Sequence, residues 1–403
     1  MQLKDKIFKL KGKVQHYAWG GYEYIPTLLG MENKEHKPFA EYWMGAHPSA
    51  SSEIITADGN LSLNQLINQD HSSFITEKVF EQFGELPYLF KILDVKDMLS
   101  IQVHPTKTEA IKGFEAEEAT GIPINAPHRN YKDKNHKPEV MVALSEFWLL
   151  HGFKQNAALE RVLEDVQEFN ILLPLYKRDG LKAMYQFVME MQQPEVDVML
   201  AQLVKRELRK KAAGELTKHQ PGWWVSKLFE GKNEFNNIDR GVFSIYFFNI
   251  VKAEKGEAIF QSAGVPHAYL EGQNVELMAN SDNVLRGGLT PKHIDVPELM
   301  KHTLFESVIP NVMKGNGSGV EKNYPCPVPD FGIIKIELNG EELYQALSTS
   351  LEIFIAIEGG CIINAEGINL VIKQGEAFAV LPHQHYSVSS SGKCLLFKAY
   401  VPA

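Results

Sequence analysis

Cysteine is scarce in this chain. It occurs three times in 403 residues, at Cys326, Cys361 and Cys394, with no Cys-x-x-Cys spacing. That excludes a disulfide framework and a thiolate zinc site, and it suits a reducing compartment. Positive charge is also short: 41 Lys and Arg stand against 50 Asp and Glu, a net charge of −9. Such a chain is a poor general partner for nucleic acid or an anionic membrane, and an anionic substrate would need a local basic pocket. No apolar run approaches the ~20 residues that span a bilayer. The N-terminal stretch is charged throughout and lacks the apolar core of a signal peptide. A cytoplasmic protein is expected, a monomer with no membrane or nucleic-acid partner. The rest is ordinary: 44% hydrophobic and 23% charged residues, in a length that suits two or three domains.

Residues 1 to 154 read mainly as strands and turns. Phe8 to Tyr17 has a strand pattern, broken at Ala18-Trp19-Gly20-Gly21. Leu86 to Val95 is strongly β-like, and Asn135 to Leu144 leads into another strand. Leu61 to Phe74 and Thr106 to Ala119 have helical periodicity, the second with Thr106 as its N-cap. The character changes near residue 155. Three helical patterns follow, on Leu159/Leu163, on Met184/Val188 and, after Pro194, on Val196/Leu200/Leu203. Pro221-Gly222 closes this all-helical insertion, 155–222. Strand patterns resume at Gly241 to Val251, an apolar run that suits a buried strand, and fill 223–319. Pro325, Pro327 and Pro329 mark a linker, and 320–403 is strand-like again.

The stretch Gly256 to Thr290 is the densest in chemistry-bearing residues. A glycine closes a turn, a short strand runs up, Gly264 turns again, and Pro266-His267 presents an imidazole. This rhythm resembles the second half of the cupin signature, which places a metal-binding histidine inside a small β-barrel. Lys255-Gly256-Glu257-Ala258 and Pro266-His267 are echoed by Gln374-Gly375-Glu376-Ala377 and Pro382-His383, which suggests a second barrel of the same class. The expected fold is mainly β: two cupin-type jelly-roll barrels, the N-terminal catalytic part carrying the helical insertion. His383 and His385 have no accompanying carboxylate and read as solvated turn residues.

Gln102-Val103-His104 puts two side chains on one face of a strand. Glutamine stands where a cupin has its first histidine. Glu109 and Glu139 are rivals for the carboxylate, and spacing does not choose between them. Two imidazoles, a carboxylate and an amide oxygen would suit one zinc ion per chain, with a position open to water or substrate.

Five blocks carry a wider resemblance: Val14 to Gly20; Ala40 to Gly45 with His47-Pro48; Leu99 to Pro105; Asn135 to Glu139; and the Gly256 stretch through Asp282-Asn283, Arg286 and Gly288 to Lys292. Their order is similar to that of class I mannose-6-phosphate isomerases. The resemblance implies a zinc-dependent aldose–ketose isomerase of carbohydrate metabolism, on the way to GDP-mannose, acting on mannose 6-phosphate and fructose 6-phosphate. It implies zinc held by Gln102, His104, Glu139 and His267, and an Arg286 essential to catalysis.

Moving a carbonyl between C1 and C2 passes through a cis-enediol and needs a base, an electrophile for the oxyanion, and proton traffic between O1 and O2. Glu276 is the favoured base, with Asp282 and His136 as rivals. An ion pair of Glu276 with Arg286 is the bland reading of the same residues. Lys137 either joins the catalytic set or neutralises Glu139. Arg286, Lys292 and Lys137 are candidates for phosphate, and Ser100, Trp19 and Tyr269 for the walls of the pocket. Two other classes compete. A sugar-phosphate-binding cupin regulator without catalysis would show a damaged metal set, and an iron cupin oxygenase would show His-x-His in place of Gln102-x-His104.

Overall fold

The computed structural model describes residues 5–232 and 234–402. Antiparallel sheet dominates, in one sheet of ten strands, one of eight and one of four. Among the described residues, no helix is long and apolar enough to cross a membrane.

The ten-stranded sheet is built around one long strand, His267–Ala279. It pairs with Tyr88–Val95, Glu139–Ala143, Phe147–Phe153 and the short Gln102–Val103. Nearly every residue of the strand is buried, so alternation of polarity cannot show which face is which. Its register shifts between Tyr269 and Glu271. Gly272 beside the shift has φ 124°, and a Cβ there would lie 2.6 Å from the Glu146 carbonyl oxygen. Only glycine fits. The shift matters because strand side chains alternate. Without it, His267 and Tyr269 would face away from Glu276; with it, all three line one cavity.

The strand expected over Phe8 to Tyr17 is two strands. Ile7–Lys11 lies in the eight-stranded sheet and Lys13–Gln15 in the ten-stranded one. Gly12 is the crossing point: a Cβ on it would meet the Trp43 carbonyl oxygen at 2.3 Å. Ile7–Lys11 pairs on one side with Glu53–Thr56 and on the other with Ala377–Val380, so both ends of the chain share a sheet. The remaining C-terminal strands, from Gly332 to Tyr400, fill out this sheet and the four-stranded one.

The longest series of helices runs from Asn156 to Phe247, with shorter ones elsewhere, such as Lys107–Ala119 and Val296–His302. Pro194 stands in a first turn as expected, and so does Pro221, which opens the helix Pro221–Phe229 rather than closing the helical run. The apolar Gly241–Val251 run is also corrected. Gly241–Phe247 is a helix, and the strand starts at Phe248. Every residue of that helix is buried, with Phe243 and Phe247 against Phe169. Periodicity cannot distinguish helix from strand in so short an element buried all round. Thr106 caps Lys107–Ala119 as expected, its hydroxyl accepting from the Glu109 amide.

Candidate metal centre and active-site cavity

His104, Glu139 and His267 converge from three places: the loop after Gln102–Val103, the first residue of Glu139–Ala143, and the first residue of His267–Ala279. One ligand atom from each lies within 4.8 Å of the others. His104 Nε2 is 3.4 Å from one Glu139 oxygen and His267 Nε2 is 3.3 Å from the other. Both imidazoles are held from behind. His104 Nδ1 is 2.9 Å from the Asn283 carbonyl oxygen, and His267 Nδ1 is 2.9 Å from that of Val265. Donation from Nδ1 turns both Nε2 lone pairs toward Glu139, as metal-binding histidines require.

These residues fit a metal ion on their own chemistry. His104 is fully buried, yet among the described residues its Nε2 has no hydrogen-bond partner. An orphaned nitrogen costs stability unless something else fills its lone pair. Burial pushes the His104 imidazole down to about 4, so it is neutral at ordinary pH. Burial opposes charge on Glu139, but Lys137 and His104 outweigh it and hold the carboxyl well below its usual range. Two imidazoles and a carboxylate are a borderline-soft donor set, suited to zinc. Lys137 Nζ lies 3.2 Å from Glu139, the neutralising pair that was one of its two expected roles.

A row of cross-strand partners extends this face. Arg286 stands opposite Gln102, Gln102 opposite His267, and His267 opposite His151. Directly opposed residues share a face, so Arg286 and Gln102 flank the metal set. A small cavity of about 50 Å³ is lined by Ser100, Gln102, Lys137, Glu139, His267, Tyr269 and Glu276, together with Glu41 and Lys91. Lys91 is the centre of its charge. It donates to Glu276 Oε2 at 3.1 Å and lies 3.5 Å from Glu41 Oε2, with all three side chains buried. Burial alone would strip the Lys91 proton, but Glu41 and Glu276 reverse this and raise its pKa. Burial raises the Glu276 carboxyl against the pull of Lys91. Glu276 is therefore in an ion pair, with Lys91 and not with Arg286. Burial, then the Glu276 charge, raises Tyr269 well above the usual phenol range, and its hydroxyl makes no satisfactory hydrogen bond.

Other expected residues lie outside this lining. His136 turns its Nε2 to Asp330. Asp282 is half-exposed at 3.4 Å from His47, and that contact pulls its carboxyl down to about 2. Trp19 packs on the cluster around Leu93, Val95 and Tyr269. Lys292 is exposed, and its pKa is lowered by partial burial and by the charges of Arg286 and Lys132. Those three cations share a region, and Lys132 was not singled out by sequence. Nor were Glu41 and Lys91, although a lysine in the apolar run Leu89-Phe90-Lys91-Ile92-Leu93 is itself a signal, since buried lysine needs a partner.

Asn283, read in the sequence only as part of a resembling block, was given no role there. Its carbonyl holds His104. Its amide donates to the Asp133 and Asn135 carbonyl oxygens at 2.8 and 2.9 Å, and its side-chain oxygen accepts from the Lys132 amide at 2.7 Å. It fastens the loop leading to Glu139 against the loop that backs His104.

Fold and site together define a sheet protein whose His104, Glu139 and His267 could hold a metal ion beside a cavity built around a buried Lys–Glu pair. A family model described as the phosphomannose isomerase type I catalytic domain matches residues 7–156. The chain is 38% identical over 393 residues to the mannose-6-phosphate isomerase of Escherichia coli K12, covering 96% of this chain and 97% of that one. It is 35% identical over 393 residues to the human enzyme of that name, covering 89% and 88%. Among solved structures, a mannose 6-phosphate isomerase from Salmonella typhimurium, described as bound to substrate and a zinc atom, superposes with a TM-score of 0.88. That match has 35% identity over 99% of this chain and 100% of the other. The chain belongs to the type I mannose-6-phosphate isomerases.

Proposed function

We propose that this protein is a zinc-dependent aldose–ketose isomerase that interconverts mannose 6-phosphate and fructose 6-phosphate through a cis-enediol. The observation that carries the reading is the buried His104 Nε2, unpartnered and facing Glu139 and His267 beside the Lys91–Glu276 pair. An intact set of this kind speaks against a binding protein that has lost catalysis.

Gln102, His104, Glu139 and His267 would hold the zinc. When bound, it supplies a fixed positive charge that polarises the sugar oxygens next to the migrating proton. The chain's own groups do the rest. Glu276, made more basic by burial, takes the proton from C2 of the aldose and returns it to C1. Lys91 stays protonated and stabilises negative charge at the carbonyl oxygen. Tyr269, with its hydroxyl free, gives a proton to O1 and takes up the one that leaves O2, so the oxygen-bound protons balance as well, and Ser100 lines the same wall. Arg286, Lys292 and Lys132 take the phosphate, which answers the need for a local basic site in an acidic chain. Trp19 shapes the approach. Asp282 and His136 are left outside the proton transfer.

The domain reading belongs with this proposal. Residues 1–154 and 223–319 form a catalytic cupin-type jelly roll, 155–222 the helical insertion, and 320–403 a second barrel of the same class. Support comes from the three antiparallel sheets, although the eight-stranded one takes in Ile7–Lys11, Glu53–Thr56 and Gly59–Ser62 from the N-terminal part, and from the series of helices, which continues past 222 to Phe247. One chain carries the full residue set, as a cytoplasmic monomer would.

The test incubates purified protein with mannose 6-phosphate, with and without a chelator, and follows fructose 6-phosphate. Conversion that stops on chelation and returns with zinc is expected. No conversion in the zinc-loaded protein would sink the proposal.

A further inference from the structure

His136 has the chemistry of a proton carrier, but the structure ties it to another part of the chain. Its Nε2 lies 2.9 and 3.0 Å from the two carboxylate oxygens of Asp330. Asp330 is buried and stands just before Gly332–Asn339, a strand of the sheet formed mostly by C-terminal residues. His136 is followed directly by Lys137, Pro138 and Glu139.

Those three residues are stiff. Proline fixes its own φ and confines the residue before it to extended backbone. A displacement of His136 is therefore passed on to Glu139 instead of being absorbed in soft dihedrals. The segment is already pinned on the catalytic side. Asn135 donates to Glu85 and to the Asn280 carbonyl oxygen at 3.0 and 2.8 Å, and the Pro138 carbonyl accepts from the Ala279 amide at 3.0 Å. The Asp330 contact holds it from the C-terminal side.

We propose that Asp330 is a positioning residue: through His136 it sets the Lys137–Glu139 segment, and so aligns Glu139 with His104 and His267. The C-terminal part of the chain thereby completes the metal site while contributing no ligand to it. The inference rests on the reading of Glu139 as a metal ligand. A ligand carboxylate must be placed within about 0.5 Å, so the groups that orient it affect metal affinity directly.

The test uses the full-length protein and three measurements: zinc affinity by competition with a chromophoric chelator, kcat and KM for mannose 6-phosphate, and thermal midpoint. Asp330→Ala should weaken zinc binding about tenfold and lower kcat with little change in KM. Asp330→Asn, which keeps an acceptor oxygen, should recover most of the loss. His136→Ala should cost the same zinc affinity, and the double variant no more than either single one. A base role for His136 would not move zinc affinity, so this readout separates the two roles. Tyr88→Phe is the control. It removes another tie between the same two parts, the Tyr88 hydroxyl on the Leu351 carbonyl at 3.0 Å. It should lower the thermal midpoint and leave zinc affinity and kcat alone. If Asp330→Ala does not fold, His136→Ala decides by its zinc affinity.

Zinc affinity unchanged within twofold in Asp330→Ala or His136→Ala overturns the proposal. So do additive losses, or a loss of zinc in Tyr88→Phe as large as in Asp330→Ala. A parent protein that shows no zinc-dependent turnover would instead overturn the isomerase reading.

Discussion

Lys91→Met should destabilise the protein in a pH-dependent way. Lys91 lies 3.1 Å from Glu276 and 3.5 Å from Glu41, all buried. At an effective dielectric of about 20, each contact is worth about 5 kcal/mol before desolvation. Desolvation cancels much of that in the intact cluster. Removing one partner exposes the imbalance and costs about 3–5 kcal/mol. Methionine is unbranched and only one atom shorter, so little of the loss comes from packing. The two carboxylates then cannot both stay ionised, and one takes up a proton. Burial already raises Glu276 against the pull of Lys91, so losing that pull moves it further up. A carboxyl with a folded pKa above its unfolded value binds more protons folded than unfolded, so stability falls as pH rises between the two. The penalty should therefore be smaller near pH 5.5 than near pH 8, by about 1.4 kcal/mol for each pH unit the folded pKa lies above 5.5. Urea unfolding of chelator-treated parent and variant at the two pH values measures it. An equal penalty at both, or one below about 1 kcal/mol, would refute the charge argument.

Other perturbations separate the remaining groups. Arg286→Ala should abolish turnover while the protein keeps its zinc; lost zinc would mean that Arg286 supports Gln102 instead of binding substrate. Asn283→Ala should weaken zinc binding about 10- to 100-fold, because His104 and the loop before Glu139 lose their common fastening; chelator competition reads this, and unchanged affinity would discount the fastening. Burial pushes the His151 imidazole down to about 4, with Gln261 on its Nδ1 at 2.7 Å. The unfolded chain gains its proton near pH 6.5 and the folded one near 4, so stability is lost as pH falls through that window. His151→Gln should remove about 3 kcal/mol of that acid loss, and parallel stability curves for parent and variant would count against it.

The residues gathered at the site were more legible than their partnerships. Gln102 and His104 could be read because a two-residue spacing has one meaning on a strand. Glu276 was readable as inward-facing only from its apolar neighbours, and the shift at Tyr269–Glu271 that brings it beside His267 left just Gly272 as a trace. The ion pair weighed for it was with Arg286, which is near in sequence, while Lys91 comes from another strand. The helix Gly241–Phe247 was hidden by its own burial, and the split of Phe8 to Tyr17 between two sheets turns on one glycine whose neighbour, Trp43, is distant in sequence. His136 and Asp282 had suitable chemistry, but their partners, Asp330 and His47, are visible only in three dimensions.

The pairing of Ile7–Lys11 with Ala377–Val380 has a consequence for synthesis. Ile7–Lys11 waits for a partner that is synthesised some 370 residues later. Until then, a mostly hydrophobic strand keeps an unsatisfied edge, and such edges recruit other chains. Folding cannot finish domain by domain in the order of translation, and contacts of such long sequence separation form slowly. Charge sits along that edge already: Lys9, between Phe8 and Leu10, later meets Glu376 at 2.7 Å. In the nascent chain it would guard the strand against aggregation, and in the finished protein it helps set its register.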